Sequence, residues 1–216
     1  MMKRLVIFDL DGTLLYTIED LGHAANYALE KNGFATHTLA SYPFFVGNGV
    51  RRLITRVLPE EHRDDSTIDR LLKDFRAFYD EHCCDCTKPY PGIPELLKTL
   101  QQRSVQIAVA SNKYQRATGK LIPYFFPDIH FTAILGQREG IPRKPDPQIV
   151  HEIMRMANVS TDEVLYVGDS NVDMQTANNA RVDSVGVTWG FRPRAELEQG
   201  SPFAIIDKAE ELLSFL

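Results

Sequence analysis

Apolar residues fall along this chain in two rhythms. Leu5-Val6-Ile7-Phe8 is an unbroken apolar run that breaks abruptly into Asp9, Asp11, Gly12 and Thr13. A short continuous run of this kind predicts a strand buried on both faces, with a polar loop leaving its carboxyl end. The next stretch has a different period. Ile18, Leu21, Ala24, Ala25, Ala28 and Leu29 recur at three and four residues and predict a helix. Thr17 with Asp20 approximates a capping box at its start, and Gly33 ends it. Val50, Leu53, Ile54, Val57 and Leu58 predict a second helix over 50–58. Ile68, Leu71, Leu72, Phe75, Phe78 and Tyr79 predict a third from about 66 to 81. From residue 14 to about 85 the pattern is helical.

Past Pro89-Tyr90-Pro91-Gly92 helices and strands alternate. Helix 93–102 precedes strand 105–110, helix 114–122 precedes strand 131–135, helix 147–157 precedes strand 164–167, and helix 172–180 precedes strand 184–188. A strand over Phe203–Ile206 and a helix over Ala209–Leu216 close the chain. This alternation predicts an α/β fold, a parallel sheet with helices on both faces. The helical stretch then reads as an insertion after the first strand. The expected division is residues 1–14 and 88–216 for the sheet domain and 15–87 for the helical one.

Composition changes this picture little. The 216 residues suffice for one substantial core with a small accessory domain. A formal net charge of −5 offers no basic face of the kind nucleic acid requires. The four apolar residues after Lys3 and Arg4 are too few for a signal-peptide core, and no apolar run approaches a bilayer's thickness. The expectation is a cytoplasmic protein with neither nucleic acid nor membrane as partner. Cys83, Cys84 and Cys86 are odd in number and lie in one short stretch beside His82, which argues against a disulfide framework. A zinc site there is disfavoured, because neighbours on one segment surround an ion poorly and no second Cys/His cluster exists. Reduced thiols in a connector are the expectation.

Carboxylates mark two strand ends. Asp9 and Asp11 follow the first strand, and Gly168-Asp169-Ser170-Asn171-Val172-Asp173 follows the strand 164–167. In an open α/β sheet the carboxyl ends of strands are where ligands bind. In extended geometry Asp9 and Asp11 face the same way, and four gathered carboxylates are tolerable only with a cation. Hard oxygen ligands select Mg²⁺. Ser111 and Asn112 end a third strand ahead of a helix, where hydroxyl and backbone N–H groups hold phosphate oxygens. Arg143-Lys144-Pro145-Asp146-Pro147 adds a lysine whose ammonium would offset crowded carboxylates.

Together, Asp9-Leu10-Asp11-Gly12-Thr13, Ser111-Asn112-Lys113, Lys144 and Gly168-Asp169 through Asp173 resemble the motifs of the haloacid dehalogenase-like superfamily. The resemblance extends over nearly the whole chain and is nearest to its phosphoglycolate phosphatase-like branch. It implies a Rossmann-like core with a helical cap inserted after the first motif. It implies a phosphatase in which Asp9 is the nucleophile that forms an aspartyl-phosphate. Asp11 then acts as acid and base, and Lys144 faces the phosphate and Asp9. It further implies Mg²⁺ held by the carboxylates of Asp9 and Asp169 and the backbone carbonyl of Asp11. Asp173, four residues past Asp169 and on the same helical face, orients these groups from behind. Thr13, Ser111 and Asn112 contact phosphate; for Thr13 and Asp173 a purely supporting role is an equal reading.

Gly47-Asn48-Gly49-Val50-Arg51-Arg52 is similar to the cap loop of that branch. Its glycines allow close approach, and Asn48, Arg51 or Arg52 either meet an anionic group of the substrate or solvate a helix face. An enclosing cap favours a small phosphorylated metabolite. Tyr16-Thr17 stands where relatives commonly carry Asp-Ser, and packing by Tyr16 is the preferred explanation. Two alternatives stay open: a sugar-phosphate mutase of β-phosphoglucomutase type, and a non-catalytic phosphometabolite-binding regulator. A dehalogenase is disfavoured, since it would make Asp11 and the metal set superfluous. Oligomeric state is left open.

Overall fold

The first strand, β1 (Leu5–Phe8), is wholly buried at all four positions, as an unbroken apolar run requires. The computed structural model describes residues 2–216 and divides into two units. One comprises residues 2–16 and 89–216, the other Thr17–Lys88. In chain order the elements are β1, β2 (Leu15–Tyr16), α1 (Ile18–Lys31), α2 (Tyr42–Phe45), α3 (Val50–Val57), α4 (Asp65–His82) and β3 (Lys88–Pro89). There follow α5 (Ile93–Gln102), β4 (Gln106–Tyr114), α6 (Gln115–Phe125), β5 (Ala133–Gln137), α7 (Gln148–Ala157) and β6 (Val164–Gly168). The chain finishes with α8 (Asn171–Ala180), β7 (Asp183–Val187), α9 (Arg194–Gln199) and β8 (Ala204–Ile206).

Six of these strands form one parallel sheet in the order β5-β4-β1-β6-β7-β8. Successive strands step outward on one side of β1, then on the other, so the order reverses between β1 and β6. This is the doubly wound, Rossmann-like arrangement, whose crevice opens beyond the carboxyl ends of the strands at the reversal. The register fixes what meets there. Phe8 lies level with Val109 of β4 and Val167 of β6, so Asp9, Ala110 and Gly168 each come one step further on. On one face Leu5, Ile7, Ala108, Ala110 and Tyr166 pack against Ile149, Val150 and Ile153 of α7 and Ala177 and Ala180 of α8. The alternate residues Val6, Phe8, Ile107, Val109, Leu165 and Val167 are equally buried, which accounts for the absence of polar alternation in these strands.

Several elements differ from the sequence-based expectation. β4 does not stop at Ala110 but runs to Tyr114, so Ser111 and Asn112 lie in a strand rather than at a helix N-terminus. Between its pairings with β5, Ala110↔Leu135 and Tyr114↔Gln137, β4 uses two more residues than its partner. Ser111–Lys113 therefore bulges from the ladder, which re-aims side chains locally. α9 has a single buried residue, Leu197, and so carries no periodic signal. The closing segment Ala209–Phe215 is a 3₁₀ helix, and its buried residues, Ala209 and Leu212, are three apart, the spacing a three-residue turn aligns.

Within Thr17–Lys88, α1 packs with α3 and α4 through their apolar stripes. The capping box expected from Thr17 and Asp20 is not formed: Thr17 makes no side-chain cap bond. Asp20 is instead buried, and its carboxylate accepts the backbone N–H groups of Cys86 (2.9 Å to Oδ1) and Thr87 (2.8 Å to Oδ2). Tertiary demand wins over the local cap because these two amides have no ladder partner of their own. Asp20→Ala leaves them unsatisfied, at a cost of about 1–3 kcal/mol. Chemical denaturation is expected to show that loss, and an unchanged midpoint would mean water serves the amides equally well.

Candidate active site

Immediately after β1 the backbone turns sharply. The Leu10 carbonyl accepts the N–H groups of Thr13, Leu14 and Leu15 (3.3, 3.0 and 3.0 Å), and Gly12 adopts φ +93°. A side chain at Gly12 would meet the Asp169 carboxylate, its Cβ 2.2 Å from Oδ2, so this position needs glycine for space as well as for conformation. The turn separates the two aspartates of the first motif. Asp9 points into a buried group in which single oxygens of Asp9, Asp169 and Asp173 lie within 4.8 Å of one another. Asp11 stands outside that group, its carboxylate on Lys113 Nζ at 3.0 and 3.2 Å. The extended geometry expected to align them ends at Phe8.

Lys144 is the hub. Its ammonium, 3 % exposed, donates to Asp9 Oδ1 (2.7 Å), Asp173 Oδ1 (2.7 Å), the Ala110 carbonyl (2.9 Å) and the Tyr166 hydroxyl (3.0 Å). Asp173 is used on both oxygens. Oδ2 accepts Ser170 Oγ (2.6 Å) and Ser170 N (3.1 Å), which tie it to the start of α8, while Oδ1 faces Lys144. Its support of the cluster thus comes through Lys144 and not from a shared helical face, because Asp169 precedes the helix. Asp169 Oδ2 accepts the Phe191 N–H at 2.7 Å. Asp9 Oδ2 carries no hydrogen bond from the described residues, and Asp9 keeps 8 % exposure.

The electrostatics follow from burial. Desolvation, opposed by Lys144 and reinforced by Asp173, pushes the Asp9 carboxyl up to about 7. Burial, with Asp173 and Asp9 beside it, raises Asp169 well above the carboxylate range. Burial alone would lower Lys144, but Asp173 and Asp9 hold it charged, well above its ordinary value. Three carboxylates face one ammonium, so full ionisation of the cluster requires a further cation, and the exclusively oxygen donors are those a hard dication prefers.

The expected phosphate contacts fare differently. Ser111 is buried, with Oγ accepting the Lys113 N–H at 3.2 Å, which leaves its hydroxyl hydrogen to donate. Thr13 is wholly buried and its hydroxyl has no partner among the described residues. Asn112 is committed elsewhere: Oδ1 accepts the Lys144 N–H (2.9 Å) and Nδ2 donates to the Lys144 carbonyl (3.1 Å). Its amide holds the lysine's backbone through one Nδ2 hydrogen and Oδ1. Gly47, Asn48, Gly49 and Arg51 belong to the helical unit. The first three have positive φ (121°, 62° and 85°). Arg51 pairs with Asp65 (2.5 Å) and Asp69 on α4, so its charge is matched within its own unit and does not simply solvate a helix face.

Motif reading includes Lys113 without a role for it and passes over Tyr166 and the loop Trp189-Gly190-Phe191. A Cβ on Gly190 would sit 2.2 Å from Asp169 Cβ and 2.6 Å from the Gly12 carbonyl, and Trp189 Nε1 donates to the Thr13 carbonyl at 3.1 Å. The position of this loop after β7 was a legible signal; its contact with Asp169 was not. Tyr16 packs edge-on against Tyr90 and Phe191, with ring centres 6.1 and 6.3 Å away, which explains the aromatic residue after the first motif.

A parallel sheet with this order and a buried acidic cluster at the end of its first strand define a haloacid dehalogenase-like hydrolase. The chain belongs to that family, whose profile matches residues 6–187. Within it, the chain is 34% identical to phosphoglycolate phosphatase of Mesorhizobium japonicum, over 98% of this chain and 94% of the relative. It is likewise 34% identical to the Pseudomonas putida protein of the same name, over 98% and 79% of the two chains. The crystal structure of a candidate phosphoglycolate phosphatase from Lactobacillus delbrueckii subsp. bulgaricus superimposes with a TM-score of 0.91 at 36% identity. That match covers 98% of this chain and 97% of the other.

The cluster has a pH signature. Unfolded, the Asp9 carboxyl loses its proton near 3.8; folded and without a cation, near 7. Between those values the folded chain binds more protons, so the contribution of Asp9 to stability falls as pH rises, by up to a few kcal/mol. In EDTA, thermal stability is expected to decline from pH 5 to pH 8, and millimolar Mg²⁺ is expected to abolish the decline. A flat profile in EDTA would show that Lys144 alone neutralises the site.

Proposed function

We propose that the protein is a Mg²⁺-dependent phosphomonoester hydrolase acting on a small phosphorylated metabolite of the phosphoglycolate type through an aspartyl-phosphate. The observation that carries this reading is Asp9. One oxygen is fixed by Lys144 at 2.7 Å, the other is open, and the surrounding carboxylates create a demand for a dication. Asp9 Oδ2 attacks phosphorus, the bond to the leaving oxygen breaks, and Asp11 delivers a proton to that oxygen. Water then attacks the aspartyl-phosphate, Asp11 takes a proton, and the bond from phosphorus to Asp9 breaks to release inorganic phosphate.

A magnesium ion held by Asp9, Asp169 and the Asp11 backbone carbonyl would supply the charge that lets a carboxylate approach an anionic phosphoryl group. Lys144 neutralises Asp9 between turnovers and presents its charge to the transferred group. Ser111 donates its hydroxyl to a phosphate oxygen. Asn112 keeps Lys144 in place through its backbone, a positioning role. Thr13, whose hydroxyl has no partner among the described residues, bonds a phosphate oxygen or supports the loop. The helical unit serves as a cap, and its Gly47-Asn48-Gly49 turn contributes to substrate choice. Arg51 holds that segment to α4 and leaves Arg52 as the cation for a second anionic group. Phosphoglycolate is the favoured substrate because the relatives at 34% identity bear the name of that activity.

The test is phosphate release from phosphoglycolate, sugar phosphates, nucleoside monophosphates and p-nitrophenyl phosphate, with Mg²⁺ and with EDTA. Mg²⁺-dependent release from phosphoglycolate is expected to exceed the rest. Asp9→Asn is expected to fold with unchanged circular dichroism and to turn over at background. Normal turnover by that variant would overturn the covalent route, and transfer of the phosphoryl group to a second sugar-phosphate hydroxyl would replace the hydrolase by a mutase.

A further inference from the structure

The cysteines of the connector were set aside as metal ligands because no second group of ligands is visible near them in the chain. The fold supplies one. Asp20 and His23, one turn apart on α1 and therefore on one face, meet Cys86, and single ligand atoms of the three lie within 4.8 Å of one another. We infer that Asp20, His23 and Cys86 form a binding site for a borderline transition-metal dication, Zn²⁺, within the helical unit.

The ligand chemistry is specific. One imidazole nitrogen, one thiolate and one carboxylate oxygen are three of the four ligands of tetrahedral Zn²⁺, and water takes the fourth position on the side where His23 is exposed. Mg²⁺ has no preference for a thiolate, so this site and the all-oxygen cluster around Asp9 select different ions. The connector is already held in place. Asp20 Oδ1 accepts the Cys86 N–H at 2.9 Å, while Oδ2 accepts Thr87 N at 2.8 Å and Cys86 N at 3.2 Å. A carboxylate offers about four lone-pair positions, so Oδ1 retains one for an ion.

The field also suits a dication. Burial, then the negative charges of Asp20, Glu19 and Asp85, hold the Cys86 thiol above its ordinary value. The carboxylates that resist an isolated thiolate attract Zn²⁺, and its binding releases the thiol proton to solvent as the sulfur–metal bond forms. Cys83 and Cys84 form no disulfide either, and neither joins this group. The site ties the start of α1 to residue 86, near the two ends of the unit Thr17–Lys88.

The test is titration of the full-length protein with Co²⁺, a coloured stand-in for Zn²⁺, in saturating Mg²⁺. One equivalent is expected to produce a near-ultraviolet thiolate-to-cobalt charge-transfer band that Zn²⁺ displaces. Cys86→Ser is expected to abolish the band, and His23→Ala to weaken binding at least about tenfold, the lower end of what even an outer partner of a metal site contributes. Cys84→Ser should leave both unchanged. Circular dichroism confirms that each variant folds. A band that survives Cys86→Ser, or cobalt uptake without a band that disappears in Asp9→Asn, would overturn the proposal. Neither readout involves turnover, so the result is independent of the phosphatase assignment.

Discussion

The buried ammonium of Lys144 is the contact on which the rest of the sheet unit's chemistry depends. It lies between Asp9 and Asp173, 2.7 Å from each, at the point where the parallel sheet reverses its order. Removing any one partner of such a group leaves a buried charge without compensation, which is far costlier than the net gain from the pair. The surrounding architecture is therefore devoted to holding the lysine still. Asn112 clamps its backbone on both sides, Tyr166 and the Ala110 carbonyl complete its donor shell, and Ser170 fixes the far oxygen of Asp173.

This arrangement explains why the second motif lies in a bulged strand and not at a helix start. A regular β4 would place Ser111, Asn112 and Lys113 alternately on two faces. The two-residue excess against β5 lets Asn112 reach Lys144 and Lys113 reach Asp11. Glycines do complementary work on the opposite side. Gly12, Gly168 and Gly190 each stand where a methyl group would strike Asp169 or Asp173, so the carboxylates are packed against bare backbone.

The helical unit repeats, on a smaller scale, the use of a buried carboxylate to organise backbone. Asp20 binds the amides of Cys86 and Thr87 and in doing so brings a thiol and an imidazole together. Arg51 is drawn to Asp65 and Asp69, and Asn26 bonds both backbone groups of His37. Asp20 was a candidate for capping and Arg51 for substrate contact in the sequence, and the fold employs both, with Asn26, in fastening loops.

Period alone determined the sheet elements, the helical insertion and the strand ends where carboxylates collect, because an apolar run buried on both faces and a stripe of period 3.6 leave different one-dimensional traces. Asp9, Asp11 and Asp169 stood out as candidates for a related reason, since charged residues directly after apolar strands lie where an open α/β sheet binds ligands, whereas Lys144 stood out only through its motif. Tertiary structure alone decided the commitments of the remaining polar groups. Asn112 fastens the backbone of Lys144, Asp20 serves the connector and not its own helix, Lys113 pairs with Asp11, and the loop after β7 closes on Asp169. A hydrogen-bonding side chain has several partners within local reach. Its choice is settled by which buried backbone amide or charge would otherwise go unsatisfied, and those neighbours arrive from 22 to 102 residues away.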